Sequence, residues 1–223
     1  MKQNFLLKTA LIALTICTVA ACDKAPEGDN AKVGEQQQAA EVSGQTFTVD
    51  TAASRIRFTG NGVGKNHPGI FKLSNGTVAI ANDKITGGQF TIDINSMKLE
   101  QQEGPIQSKL RPHLLSGDFF DVAKYGTAKF EITSVTPYSA NGANASVIEG
   151  ANYNVSGNFT LKDVTKNITF PARIDLDGNT LKAHGDFDID RTQWNMNYHN
   201  DKSIGDAFIS ETVNIELDLQ AKK

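Results

Sequence analysis

Cysteine is almost missing from this chain: only Cys17 and Cys22 occur, both close to the N-terminus. Everything after Cys22 is therefore without a disulfide, a thiol nucleophile or a cysteine-bound zinc. Histidine is scarce too. His67, His113, His184 and His199 are the four, and no two have the close helical spacing of a metal site. No G-x-S-x-G occurs, so no nucleophile and base can be paired from the sequence. Positive charge is in deficit. The formal net charge is −3, and both cations of the first 21 residues, Lys2 and Lys8, lie ahead of all 25 acidic residues. A nucleic-acid binder would show a basic stripe instead. Long apolar runs are missing as well. The longest, Thr9 to Ala21, falls short of the ~20 residues that span a bilayer as a helix.

That short run carries a message of its own. Lys2 and Lys8 precede it, and Val19-Ala20-Ala21-Cys22 follows. Charge, apolar stretch and small residues in this order read as a secretory signal. The last four residues resemble the bacterial lipobox, whose cysteine takes a diacylglycerol group and a palmitate-type acyl chain. Residues 1–21 are thus expected to be a lipoprotein signal peptide, and Cys22 the lipidation site. Acyl chains then hold the protein to a membrane, at ~0.8 kcal/mol per buried CH₂. Asp23 follows the cysteine and resembles an inner-membrane retention signal, so a periplasmic location on the inner membrane is expected.

Residues 22–44 contain almost no large apolar side chain, with Gln36, Gln37 and Gln38 in their midst. The composition predicts a flexible tether, too polar to bury anything, spanning roughly 25 Å as a coil.

From Gln45 the pattern turns to period two. Phe90, Ile92 and Ile94 alternate with Gln89, Thr91 and Asp93. Ile168, Phe170, Ala172, Ile174 and Leu176 form one long register, and Val213, Ile215, Leu217 and Leu219 another. Strict alternation predicts antiparallel strands with one wet face. Many such strands close best into a barrel, which leaves no exposed edge. Asn75-Gly76, Asn141-Gly142 and Asp177-Gly178 are hairpin-type dipeptides. The stretch from Gly104 to Tyr125 has irregular apolar spacing and two of the six prolines. It predicts one or two short helices and a loop across an end or side of the barrel.

Three motif readings fail. Gly60 to Lys65 is glycine-rich, but only three residues separate Gly60 from Gly64 and Asn66 follows Lys65, so a hairpin loop replaces a phosphate loop. Asp175 to Asn179 starts like a calcium loop but has Thr180 where glycine is required, which leaves a turn. Asp186, Asp188 and Asp190 share one strand face, read as solvated. No motif implies a cofactor or a metal. The inward aromatics carry more: in a barrel of about eight strands they either fill the interior or line a cavity for one ligand.

Four blocks resemble a known family. They are FTVDTAASRIRFTG (47–60), HPGIFK (67–72), HLLSGDFFDVAKYGTAKFEI (113–132) and YNVSGNFTLKDVTKNITFPARI (153–174), with Asp190-Arg191 beyond them. Together they resemble the YceI-like proteins, periplasmic polyisoprenoid-binding proteins of lipocalin-like shape. Gly126 stands where the family often has Pro, and Lys162-Asp163 where it often has His-Gly. The resemblance implies an all-β fold over residues 45–223: an eight-stranded antiparallel lipocalin-like barrel, with one or two short helices and an elongated apolar cavity. It implies a non-enzymatic protein that binds, stores or transports an isoprenoid or similar amphiphilic lipid. The alternative is an envelope stress or structural lipoprotein whose barrel is a filled scaffold. The residues expected to bind ligand are Phe58, Phe71, Phe90, Phe119, Phe120, Phe130, Phe159, Phe170, Phe187 and Trp194. The expected partners are a polyisoprenoid or other long-chain lipid and, through Cys22, a membrane; nucleic acid is not expected.

Overall fold

The structure is a computed structural model that describes residues 26–62, 65–101, 103–140 and 145–223. The signal segment, Cys22, Asp23 and Asn141-Gly142 lie outside the described residues.

Eight long strands make the barrel. They are β4 (Arg55–Gly62), β5 (Lys65–Ala81), β6 (Lys84–Leu99), β7 (Thr127–Pro137), β8 (Tyr153–Leu161), β9 (Val164–Asp177), β10 (Thr180–Asp190) and β11 (Ile209–Lys222). Each pairs antiparallel with the next, and β11 returns to β4 with Ile215 opposite Phe58, which closes the wall. The antiparallel barrel predicted from period-two alternation, with the eight strands that the family resemblance implies, is the observed fold. The apolar members of each alternating run face inward because that face alone escapes water. Phe58, Phe71, Ile94, Ile168, Phe170 and Leu219 are all buried.

Three short strands complete the wall. β3 (Gln45–Val49) pairs with β5 and with the tail of β11, so β3 and β4 share one place between those two strands. β1 (Asp29–Asn30) pairs parallel with β10, and β2 (Lys32–Glu35) pairs antiparallel with β9. Over residues 28–43 this corrects the flexible tether expected for 22–44. From Gly28 to Ser43 the chain is bonded to the barrel. The Gly28 amide donates to Asp188 Oδ1 at 3.3 Å, the Ala40 amide to the Ile132 carbonyl at 3.0 Å, and the Ser43 amide to Thr86 Oγ1 at 3.4 Å. Gln37 is held twice: its amide donates to Asn158 Oδ1 at 3.0 Å, and its carbonyl accepts from Asn158 Nδ2 at 2.7 Å. A polar side chain here does the work of a neighbouring strand. Backbone pairing needs no apolar side chains, so composition misread the segment.

The stretch from Gly104 to Tyr125 is the irregular one, as its spacing predicts. It forms π-type turns over Ile106–Leu110, then a short α1 (Arg111–Leu115) with Pro112 in its first turn. Arg111 Nε donates to the Met97 carbonyl at 2.9 Å and fastens this cap to the end of β6. No helix among the described residues is long and apolar enough to cross a membrane.

The turns divide. Asp177-Gly178 is a hairpin turn, with Gly178 at φ 54°. Asn75-Gly76 is not: both residues lie inside β5 at an irregularity in its register with β6. Gly76 is there for close approach, since a Cβ would meet Phe90 Cδ1 at 2.8 Å and Val49 Cγ2 at 2.9 Å. Two tight hairpins carry no glycine at all. Asn82 and Asp83 (φ 51° and 58°) and Lys162 and Asp163 (φ 51° and 59°) take the left-handed conformation in succession. That conformation costs an L-residue roughly 1–2 kcal/mol, less for Asn and Asp. Asp163→Gly is therefore expected to stabilise the protein by about 1 kcal/mol, read as a higher urea midpoint at unchanged slope. A lower midpoint would mean that the Asp163 side chain makes a contact worth more than the relief.

Candidate functional site

Inside the barrel lies a cavity of about 290 Å³. Its wall is aliphatic and aromatic, with inward residues of all eight long strands and the cap contributing. Nine of the ten predicted aromatic residues line it: Phe58, Phe71, Phe90, Phe119, Phe120, Phe130, Phe159, Phe170 and Phe187. Seven of these rings form two rows. In one, Phe58 stacks on Phe71 with centroids 4.8 Å apart, and Phe120 of the cap meets Phe71 edge-on at 5.5 Å. In the other, Phe90 and Phe130 lie 6.2 Å apart, Phe130 and Phe170 6.1 Å, and Phe170 stacks on Phe187 at 3.9 Å.

Trp194 is the correction. It does not line the cavity. It sits past the end of β10 in a 3-10 turn (Arg191–Trp194) capped by Asp190, and is fully buried. Its Nε1 donates to the Phe159 carbonyl at 3.1 Å, and its ring meets Phe159 edge-on at 5.3 Å. It packs against Phe159, whose ring lines the cavity. The apolar run before it ends at Ile189, so alternation could not place its ring.

The Asp118-Phe119-Phe120-Asp121 block splits its two rings. Asp121 takes a left-handed conformation at φ 47°. Phe119 is 5% exposed and wedged between His113, Tyr198 and the Arg191 guanidinium, whose carbon lies 5.7 Å from the ring centre. His113 Nε2 is bonded to Asp118 Oδ2 at 2.8 Å, which sets the imidazole on edge against Phe119. Phe120 is half-buried and turns to Phe71.

The polar residues of the lining gather at the capped end. They are Asn61, His67, Arg191 and Ser210; His184 borders the cavity farther along the wall but turns its imidazole outward to Asp218. Sequence reasoning did not single out Asn61, His67 or Arg191 as cavity residues. The only signals were the HPG segment and the Asp-Arg pair. His67 is half-buried, and burial together with the nearby Lys65 holds its imidazole below the usual histidine range. A lowered folded pKa means that folding favours neutral His67. That contribution is intact above pH ~6.5 and is lost as pH falls from there through the folded value. His67→Gln is therefore expected to be less acid-sensitive below pH ~6.5 than the wild type, by urea denaturation across pH. Parallel profiles would show that the imidazole titrates freely.

The carboxylates of β10 are less solvated than their shared face suggests. Asn214 Nδ2 donates to Asp186 at 2.8 Å and to Asp188 at 3.0 Å, and Gly28 covers Asp188. Outside the barrel, His184, Glu216 and Asp218 bring ligand atoms within 4.8 Å of one another. Asp218 is already engaged by Arg55 at 3.1 Å and by His184 at 2.9 Å. This group is a charge network on the outer wall.

Relatives agree with this architecture. A UPF0312 protein of Ectopseudomonas mendocina is 25% identical over 96% of this chain and 98% of its own. A UPF0312 protein of Pseudomonas paraeruginosa is 38% identical over 40% of this chain, a match that spans 38% of that relative's length. Among solved structures, Burkholderia cenocepacia BcnA superposes with a TM-score of 0.61 at 24% identity, covering 78% of this chain and 99% of BcnA. A polyisoprenoid binding domain from Saccharophagus degradans superposes at 0.57 with 16% identity, covering 79% and 97%. At these identities the two structures speak for the fold. The YceI-like domain model matches residues 47–221, from the first strand of the barrel domain to the last, and the chain belongs to that family.

Proposed function

We propose that this protein is an exported lipoprotein whose barrel binds an isoprenoid or similar amphiphilic lipid, without catalysis, for storage or transport in the periplasm. The observation that carries the reading is the cavity of about 290 Å³, walled by nine phenylalanines, with Asn61, His67, Arg191 and Ser210 gathered at one end. It lies at the lower edge of the roughly 300–1,000 Å³ of small-molecule sites. An apolar tail among the rings and a polar head near Asn61, His67 and Arg191 match this distribution. The Saccharophagus degradans domain of the same fold is described as polyisoprenoid binding, which favours that ligand class. A filled scaffold would have no such space.

Energetics fit exchange better than capture. Transfer of a prenyl tail from water gains ~0.8 kcal/mol per carbon, but the bilayer offers the same gain. Net preference then rests on the head group and on packing, so lipid moves in both directions. Cys22 lies six residues before Gly28, at most about 20 Å of extended chain. Acylation there would hold the barrel close to the membrane that supplies its ligand, with Asp23 favouring the inner membrane.

Organic extraction of the full-length protein, followed by mass spectrometry, tests the reading. A stoichiometric prenyl or other long-chain lipid is expected. A protein that yields none, and takes up none from vesicles, would return the filled scaffold to first place. Cys22→Ser is expected to leave the precursor uncleaved or the protein off the membrane.

A further inference from the structure

Two neighbouring strands of the barrel wall, β9 and β10, part over much of their length. β9 and β10 pair directly only near their turn, Asp177–Arg173 against Thr180–His184. Toward the capped end they diverge, and the N-terminal segment fills the gap. Asp29 and Asn30 run beside Phe187 and Asp188 of β10, while Lys32–Glu35 run opposite Thr169–Lys166 of β9. Directly inside this seam, Phe170 of β9 and Phe187 of β10 stack on each other at 3.9 Å, and both line the cavity. We propose that residues 28–35 are a releasable strap, and that lipid passes between membrane and cavity through the β9–β10 seam when the strap lifts. This rests on the lipid-binding reading above.

The forces holding the strap are of the kind that breaks first. All four side chains of β2 are exposed, and Ala31 alone packs against the core. The remaining ties are polar. Lys166 Nζ bonds Glu35 at 2.8 Å, the Val147 amide donates to Asp29 Oδ1 at 3.3 Å, and Ser146 Oγ donates to Asp29 Oδ2. Such bonds contribute roughly 0.5–1.5 kcal/mol each, because water replaces them. Displacing β9 or β10 instead would uncover Ile168, Phe170, Leu181, Phe187 and Ile189, all buried. Local opening follows the segment with the fewest buried apolar contacts. Closure also works against a charge. Burial holds the Asp188 carboxyl above its ordinary range, against the hydrogen bonds from Asn214 and Gly28, with Asp186 and Glu27 adding like charge. Lifting the strap returns that carboxylate to water.

Two opposed variants of the full-length protein test the strap. Glu35→Cys with Lys166→Cys joins register partners, and a disulfide there, verified by peptide mass spectrometry, locks the strap to β9. Gly28→Val loosens it, since a Cβ at Gly28 would meet Asn214 Nδ2 at 2.7 Å and the Phe187 Cα at 2.8 Å. The readout is transfer of fluorescently labelled geranylgeraniol from phosphatidylethanolamine–phosphatidylglycerol vesicles. The oxidised lock is expected to slow transfer at least about tenfold, with wild-type speed restored by reductant. Gly28→Val is expected to speed transfer several-fold. Equal rates in locked and reduced protein, or an unchanged rate in Gly28→Val, with probe bound in each case, would overturn the strap and leave lipid binding standing. Failure of wild-type and reduced protein alike to take up probe would overturn both.

Discussion

Arg191→Met is expected to lower the unfolding free energy by about 3–5 kcal/mol, in the range of broken buried networks. Arg191 is 3% exposed, and its guanidinium serves four backbone carbonyls. Nε donates to Ser210 at 2.8 Å, Nη2 to Tyr198 and Ile209 at 2.9 Å each, and Nη1 to Met196. One planar group thus fastens the end of β10, the loop after Trp194 and the start of β11. Burial pulls its pKa below the usual arginine value, with Asp190 and Glu211 opposing that shift; arginine is basic enough to stay a cation in proteins. Methionine keeps the length and the apolar stem but offers no N–H. Each orphaned carbonyl then costs up to ~1–3 kcal/mol, less wherever water reaches it. Lysine, a single ammonium, should recover only part of the loss. Urea denaturation decides: a loss under about 1 kcal/mol for Arg191→Met would show that water serves these carbonyls instead.

The second large effect separates two adjacent phenylalanines. Phe119→Ala should cost about 3–5 kcal/mol, because the ring is buried against His113, Tyr198 and Arg191. Phe120→Ala should cost the lipid-free protein much less, since that ring is half-buried. Its position over Phe71, facing the cavity, instead predicts a tenfold weaker hold on lipid, equal to ~1.4 kcal/mol. Denaturation of delipidated protein and lipid occupancy by mass spectrometry give the two numbers. Equal occupancy in wild type and Phe120→Ala would make the cap a packing element only.

Much of this architecture was legible because alternation and burial are the same fact seen twice. Phe90, Ile92 and Ile94 on β6, and Val213, Ile215, Leu217 and Leu219 on β11, reach the cavity by following period two. The cap was legible for the opposite reason, since its spacing fits no strand. What failed shares a cause. Trp194 lies beyond the last strand residue, where alternation carries no information. Asn75-Gly76 has the residues of a turn but meets a crowded strand interior. Residues 28–43 are attached through backbone groups, which every sequence possesses and none advertises. The polar lining was missed because Asn61 and His67, on facing strands of one hairpin, meet Arg191 only once the barrel closes.

The seating of the strap also sets an order of assembly. Gly28 bonds to Asp188, 160 residues later, and Gln37 to Asn158, 121 residues later. A chain that leaves the ribosome or crosses a membrane N-terminus first delivers its strap at the start and the strap's partners near the end. Contacts this distant in sequence are slow to find, because a long loop must close before they yield anything. β4 to β8 can therefore pair through local hairpins while residues 28–35 still wait for β9 and β10. In that order of events the newborn barrel would have its seam open and its aromatic interior in reach of whatever apolar molecule is nearby. A lipid present at that moment would be enclosed by the final step of folding, with no need to cross the finished wall.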